Sequence, residues 1–127
     1  MSLHDEPRMQ AIIEAYFNSL NTEDEASYKS IFAHDVEFFG SASGIHSTGI
    51  ATLLGVWRGA RKDLLWRTVK PIEVFGRWPE AAALVEIVAG ETANLKSVHG
   101  IWHFTFNDDW RIQKLSVLWD FWHLIHH

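Results

Sequence analysis

The sequence predicts an α+β fold: three N-terminal helices packed on a strongly curved, mainly antiparallel sheet with an internal pocket. Three observations carry this. Apolar residues recur at helical spacing up to about Ala60, and extended runs replace them after Leu65. Those runs are joined by short polar turns, as in an antiparallel meander. Long twisted strands curl around the helices they pack on, and such a sheet can enclose a cavity. With 127 residues, 47% of them apolar, the chain has material for one domain, residues 1–127, with a proper core.

The elements follow in order. Met9, Ile12, Ile13, Tyr16, Phe17 and Leu20 form one apolar stripe and predict a helix from about Glu6 to Leu20. Asp5 suits its N-cap and Pro7 its first turn. Thr22-Glu23-Asp24-Glu25 reads as a capping box opening a second helix that carries Tyr28, Ile31 and Phe32. A short strand follows at Asp35 to Phe39 and is broken by the run GSASG. The third helix is expected to start at Ser47 or Thr48, with Ile50, Leu53, Leu54 and Trp57 as its stripe. Four strands are expected after it: Leu65 to Phe75, Ala82 to Ala89, Ser97 to Phe106 and Trp110 to Trp122. Trp78-Pro79-Glu80 and Asn107-Asp108-Asp109 supply the tight connections.

Composition narrows the function. The formal charge is -5 and Lys and Arg never cluster, which argues against nucleic acid or an anionic membrane as partner. No Cys is present, so disulfides, thiolate catalysis and Cys-based zinc or iron–sulfur sites are excluded. A reducing cytoplasm is compatible with this. No apolar run approaches the ~20 residues of a membrane helix, and the N-terminal MSLHDEPRMQ has acids where a signal peptide would be apolar. A cytoplasmic location is therefore expected. No Gly-rich phosphate loop is present and no cofactor is expected.

Several stretches carry a resemblance. AIIEAYFNSLNTED, YKSIFAHDVEFFG, Gly49 at the start of the third helix and RIQKLSVLWD resemble the corresponding parts of the nuclear transport factor 2-like superfamily. The resemblance covers nearly the whole chain and implies a cone-shaped α+β fold with a deep pocket. Within the superfamily the chain looks most similar to the SnoaL-like polyketide cyclases. Their general-base aspartate, near the end of the last strand, matches Asp120; their usual Gln-Leu-Gly ending is missing after FWHLIHH. The ketosteroid isomerases provide a contrast. Tyr16 matches their helix-one oxyanion donor, but Gly40 and Trp102 stand where their two acids would be, ahead of His103-Phe104-Thr105-Phe106. Isomerase chemistry in its usual form is therefore not expected.

Asp120 is unusual in its own right. It sits among Val117, Leu118, Trp119, Phe121 and Trp122, where an ionised carboxylate is costly unless paired. Desolvation there would raise its pKa toward that of a general base; a structural carboxylate bonded to a Trp N–H is the alternative. Tyr16, on the stripe of the first helix, can donate to a ligand oxygen or be ordinary core. Trp57, Trp102, Phe104, Leu118 and Trp122 are the expected substrate-binding wall among seven Trp. On the strand from Ser97, His99, Ile101 and His103 share one face and Val98, Trp102 and Phe104 the other. The two His stand ~13 Å apart on a strand, too far to share a metal. Apolar character on both faces of this strand predicts a homodimer through the outer sheet face.

Two functions stay open. One is a cofactor-independent lyase or isomerase acting on an aromatic or polycyclic carbonyl compound, with Asp120 abstracting a proton and Tyr16 or a Trp N–H steadying the enolate. A dehydratase in which a His and an Asp share proton transfer is its near neighbour. The other is a non-catalytic small-molecule-binding or dimerisation module, with Glu37, Glu73 and Glu86 as the remaining strand acids.

Overall fold

The computed structural model describes residues 5–40, 45–63 and 65–119. Its elements are α1 (Asp5–Thr22), α2 (Glu25–Ile31), β1 (Phe32–Gly40), β2 (Ile45–Thr48), α3 (Ile50–Asp63), β3 (Trp66–Arg77), β4 (Glu80–Ala89), β5 (Lys96–Phe106) and β6 (Ile112–Trp119). The strands form one curved sheet in the order β2-β1-β6-β5-β4-β3. The meander from β3 to β6 and the β1–β2 pair are antiparallel; β1 runs parallel to β6. The expected fold class is what is observed.

Four local expectations need correction. Ile45–Thr48 is a four-residue strand, β2, at the expected start of the third helix, and α3 starts at Ile50. The turn into it needs Gly49, whose φ of +99° suits a residue without Cβ and whose N–H donates to Val36 O. The cap of α2 is Asp24, which accepts from the Ser27 N–H, while Thr22 remains in α1 and donates to Asn18 O. Phe32 leaves the helix to open β1, and Trp110 lies in the turn before β6.

Alternation sets the core. On β4, Ala81, Ala83, Val85, Ile87 and Ala89 are buried, and on β5, Val98, Gly100, Trp102, Phe104 and Phe106. The helices pack on this inner face. Asn21 pins the end of α1 to β3 by mimicking a strand partner: its Nδ2 donates to Val69 O at 2.9 Å and its Oδ1 accepts from Val69 N at 2.8 Å. Arg61 of α3 donates to Leu20 O at 2.9 Å, satisfying a terminal carbonyl of α1. Register shifts at Trp66/Thr68 and Pro71/Glu73 bend β3. Helices and curved sheet together leave space at one end.

Candidate functional site

That space is a cavity of about 400 Å³. From the helices, Tyr16, Tyr28, Trp57 and Asp63 line it; from the sheet, Phe38, Trp66, Trp102, Leu115, Val117 and Trp119. The size is in the range that holds a drug-sized molecule. The wall is dominated by rings, and Asp63 is the only ionisable acid on it among the described residues.

Tyr16 is the buried polar group. It sits on the core face of α1, 3% exposed, packed edge-on against Phe17 and Phe104. Its phenol oxygen accepts a hydrogen bond from Trp102 Nε1 at 2.9 Å, and its own proton has no acceptor among the described residues. Burial pushes the phenol far above its ordinary pKa, and the indole N–H opposes this only in part. Tyr16 therefore stays neutral at physiological pH, a hydrogen-bond donor with its acceptor side already satisfied. Burial also raises Tyr28, helped by the neighbouring Tyr16.

The indoles form a corner. Trp66 stands at 88° to Trp119 with centroids 5.4 Å apart, and at 51° to Trp102 with centroids 6.1 Å apart. Gly100 makes the corner possible. A Cβ there would fall 2.7 Å from Trp102 Cζ3 and 2.9 Å from Trp119 Cβ, inside contact distance. Trp66 Nε1 is buried with no hydrogen-bond partner among the described residues.

Sequence reasoning and structure agree on some of the wall. Tyr16, Trp57 and Trp102 line the cavity. Phe104 lies one layer deeper, fully buried, its ring centroid 5.4 Å from that of Tyr16. Leu118 is corrected: it is 59% exposed on the outer face, because strict alternation turns Val117 and Trp119 inward and Leu118 away. Asp120 and Trp122 lie outside the described residues, as do His126 and His127. Glu37, Glu73 and Glu86 do not line the cavity; Glu37 pairs with His46 and Glu86 accepts from Ser97. His99 and His103 face outward, and His103 meets Glu80 at 3.2 Å. No group of three or more His, Asp or Glu able to hold a metal occurs among the described residues.

Trp66, Trp119, Tyr28 and Asp63 were not singled out as site residues from sequence. Trp119 was legible: counting by twos from the core residue Leu115 reaches it. Asp63 was not, because it looks like any solvated helix end.

No family model matches the chain and no curated protein matches it. Solved structures do. A protein described as a SnoaL-like polyketide cyclase from Jannaschia sp. CCS1 superposes with a TM-score of 0.82 at 10% identity, covering 94% of this chain and 90% of that one. One described as a ketosteroid isomerase from Kribbella flavida DSM 17836 gives 0.78 at 19% identity, covering 91% and 80%. One described as a polyketide cyclase from Sinorhizobium meliloti gives 0.71 at 20% identity, covering 84% and 93%. At these identities the likeness speaks for architecture. Helix order, sheet order and curvature together make the chain a nuclear transport factor 2-like cone, the fold it shares with SnoaL-like polyketide cyclases and ketosteroid isomerase-like proteins.

Proposed function

We propose that the cavity is the active site of a small cofactor-independent lyase or isomerase acting on an aromatic or polycyclic carbonyl compound. The observation that carries this reading is the Tyr16–Trp102 pair: a buried neutral phenol whose oxygen is held by an indole N–H at 2.9 Å and whose proton has no acceptor among the described residues. A carbonyl oxygen reaching Tyr16 accepts that proton in a hydrogen bond. As the α-proton leaves, negative charge builds on this oxygen and the bond strengthens, which is where transition-state stabilisation arises. The indole N–H makes the phenol a better donor by drawing density from its oxygen. The indoles that line the cavity, Trp57, Trp66, Trp102 and Trp119, give a flat substrate an apolar wall and exclude water.

The base in this reading is Asp120, the residue that follows β6; because Leu118 two residues earlier faces outward, the reading requires the chain to leave strand alternation after Trp119. It takes the proton next to the carbonyl and returns it at another position, or keeps it while a leaving group departs. The test is solvent deuterium exchange into a panel of aromatic ketones, followed by mass spectrometry. Exchange should occur with the wild-type protein, fall on the order of a hundredfold in Asp120→Asn, and fall by a similar order in Tyr16→Phe through loss of an oxyanion donor.

A second reading has its own support. Among the described residues no carboxylate is buried in the cavity wall, and Asp63 is exposed. A non-catalytic binding module would bind the same ketones and show no exchange.

We also propose a homodimer through the outer sheet face. Leu84, Ile101 and Leu118 stand side by side across β4, β5 and β6, with Ile101 49% and Leu118 59% exposed. A contiguous apolar row of this kind suits burial against a second copy. Light scattering at tens of micromolar, roughly the range of weak interfaces, should give twice the monomer mass.

A further inference from the structure

The cavity has more aromatic surface than a neutral ligand requires, and its charge has one sign. Four indoles, Trp57, Trp66, Trp102 and Trp119, line it together with two phenols. A purely apolar guest would be served equally by Leu and Ile, whereas the indole face is the strongest uncharged attractor of a cation among side chains. The corner geometry matters as much as the count. Trp66 packs against both Trp102 and Trp119, at 51° and 88°, so the three indoles form a bent wall of the cavity rather than a flat stack.

Charges at the rim point the same way. No Lys, Arg or His lines the cavity among the described residues, and Asp63 is its single charged side chain. The two arginines on α3 are already engaged: Arg58 with Glu25, and Arg61 with Glu23, the carbonyl of Leu20 and the ring of Trp57, 5.8 Å from its centroid, which leaves Trp66, Trp102 and Trp119 as the indoles for a ligand cation. Asp63 has no ion-pair partner among the described residues. It ends α3 three residues before Trp66 opens β3, and both line the cavity. The net charge of -5 favours approach of a cation as well.

We propose that the ligand of this cavity carries an alkylammonium group, seated in the Trp66–Trp102–Trp119 corner with Asp63 as its counter-charge. This rests on the reading of the cavity as a small-molecule site and adds a charged end to the expected substrate. A carbonyl at Tyr16 and an ammonium near Asp63 give the molecule one orientation, which neither a steroid-like nor a plain aromatic ketone would have. The rings compensate the cation for lost water without a buried counter-ion, whose own desolvation would be costly.

The test uses two molecules of one shape. Phenyltrimethylammonium and tert-butylbenzene differ in charge and hardly in volume. Each is titrated into the full chain with tryptophan fluorescence and calorimetry as readouts. The cation should bind at least about tenfold more tightly than the hydrocarbon. Asp63→Asn, a surface change that leaves the core intact, should weaken the cation by about threefold or more and leave the hydrocarbon unchanged. Trp66→Leu should narrow the preference. Equal affinities, or tighter binding of the hydrocarbon, would overturn the cation proposal while the small-molecule site stands. Failure of both to bind at about 10 mM, below any useful affinity, would overturn the proposal and the site together.

Discussion

The two ends of the meander each gather tryptophans, and they are put to different use. At the hairpin end, Trp78 and Trp110 lie 4.1 Å apart at 35°, Phe106 stacks on Trp78 at 28°, and the Arg8 guanidinium covers Trp110 at 4.0 Å. Every ring there has its face taken by a neighbour. At the other end, Trp66, Trp102 and Trp119 meet at steep angles and line the cavity, and Gly100 lets Trp102 and Trp119 lie directly against its backbone. Near-parallel rings close a surface; inclined rings here border an open one. Abundance of tryptophan therefore marks neither core nor site by itself. The angle between rings and the volume beside them decide.

Substitutions can break or sharpen this contrast. Trp102→Ala should have the largest effect. It removes a ring 1% exposed that serves both the core and the cavity, at a cost of about 3–5 kcal/mol measured by urea denaturation. Gly100→Val should come next. It drives a side chain into Trp102 and Trp119, lowers stability by about 1–3 kcal/mol, and abolishes ligand binding by displacing these two indoles of the cavity wall. Binding that survives Gly100→Val would show that the open end is not where ligands sit.

Tyr16→Phe keeps the ring and strands Trp102 Nε1, so about 1–3 kcal/mol of stability should be lost while the cavity keeps its shape. Its mark is a loss of affinity for ketones greater than for matching hydrocarbons. Arg8→Ala should be milder, about 0.5–1 kcal/mol from the cation over Trp110. Because the closed end carries no ligand, binding should be unaltered, and a change in affinity would mean that the two ends communicate.

The smallest expected effect concerns acid. Hydrogen bonds from the Ser27 hydroxyl and N–H hold the Asp24 carboxyl below its ordinary value. A depressed folded-state pKa stabilises the protein above the unfolded-state value of ~3.9, and this contribution is lost as pH falls through the folded value. Asp24→Asn retains a capping oxygen. It should flatten the stability profile below about pH 4 and leave the neutral limb and the cavity untouched.

Helix one shows how much could be read in advance. Its stripe of Met9, Ile12, Ile13, Tyr16, Phe17 and Leu20 faces the core as observed, with Ile12 only partly buried at the edge, since burial follows the 3.6-residue period. On β5 alternation separated Val98, Trp102 and Phe104 from His99 and His103, and the structure shows the first set to be the buried one. Local chemistry misled where two devices compete. Ser47 and Thr48 resemble a helix start, yet Ser47 and His46 pair with Phe38 and Phe39 as a strand, and Gly49 makes the turn. Leu118 misled because a run of apolar residues hides which face continues.

By itself the sequence determined the class of fold, the inner and outer faces of most elements, and the place of Tyr16 on the buried side, because periodicity acts within a single element. Tertiary structure alone decided the partnership of Tyr16 with Trp102, 86 residues later in the chain, the corner of Trp66 with Trp119, and the arrival of Asp63 at the cavity. Each of these depends on how far the sheet curves and on the register of one strand beside the next. Curvature and register are set by the summed packing of the whole sheet against its helices, and no short stretch of sequence carries that sum.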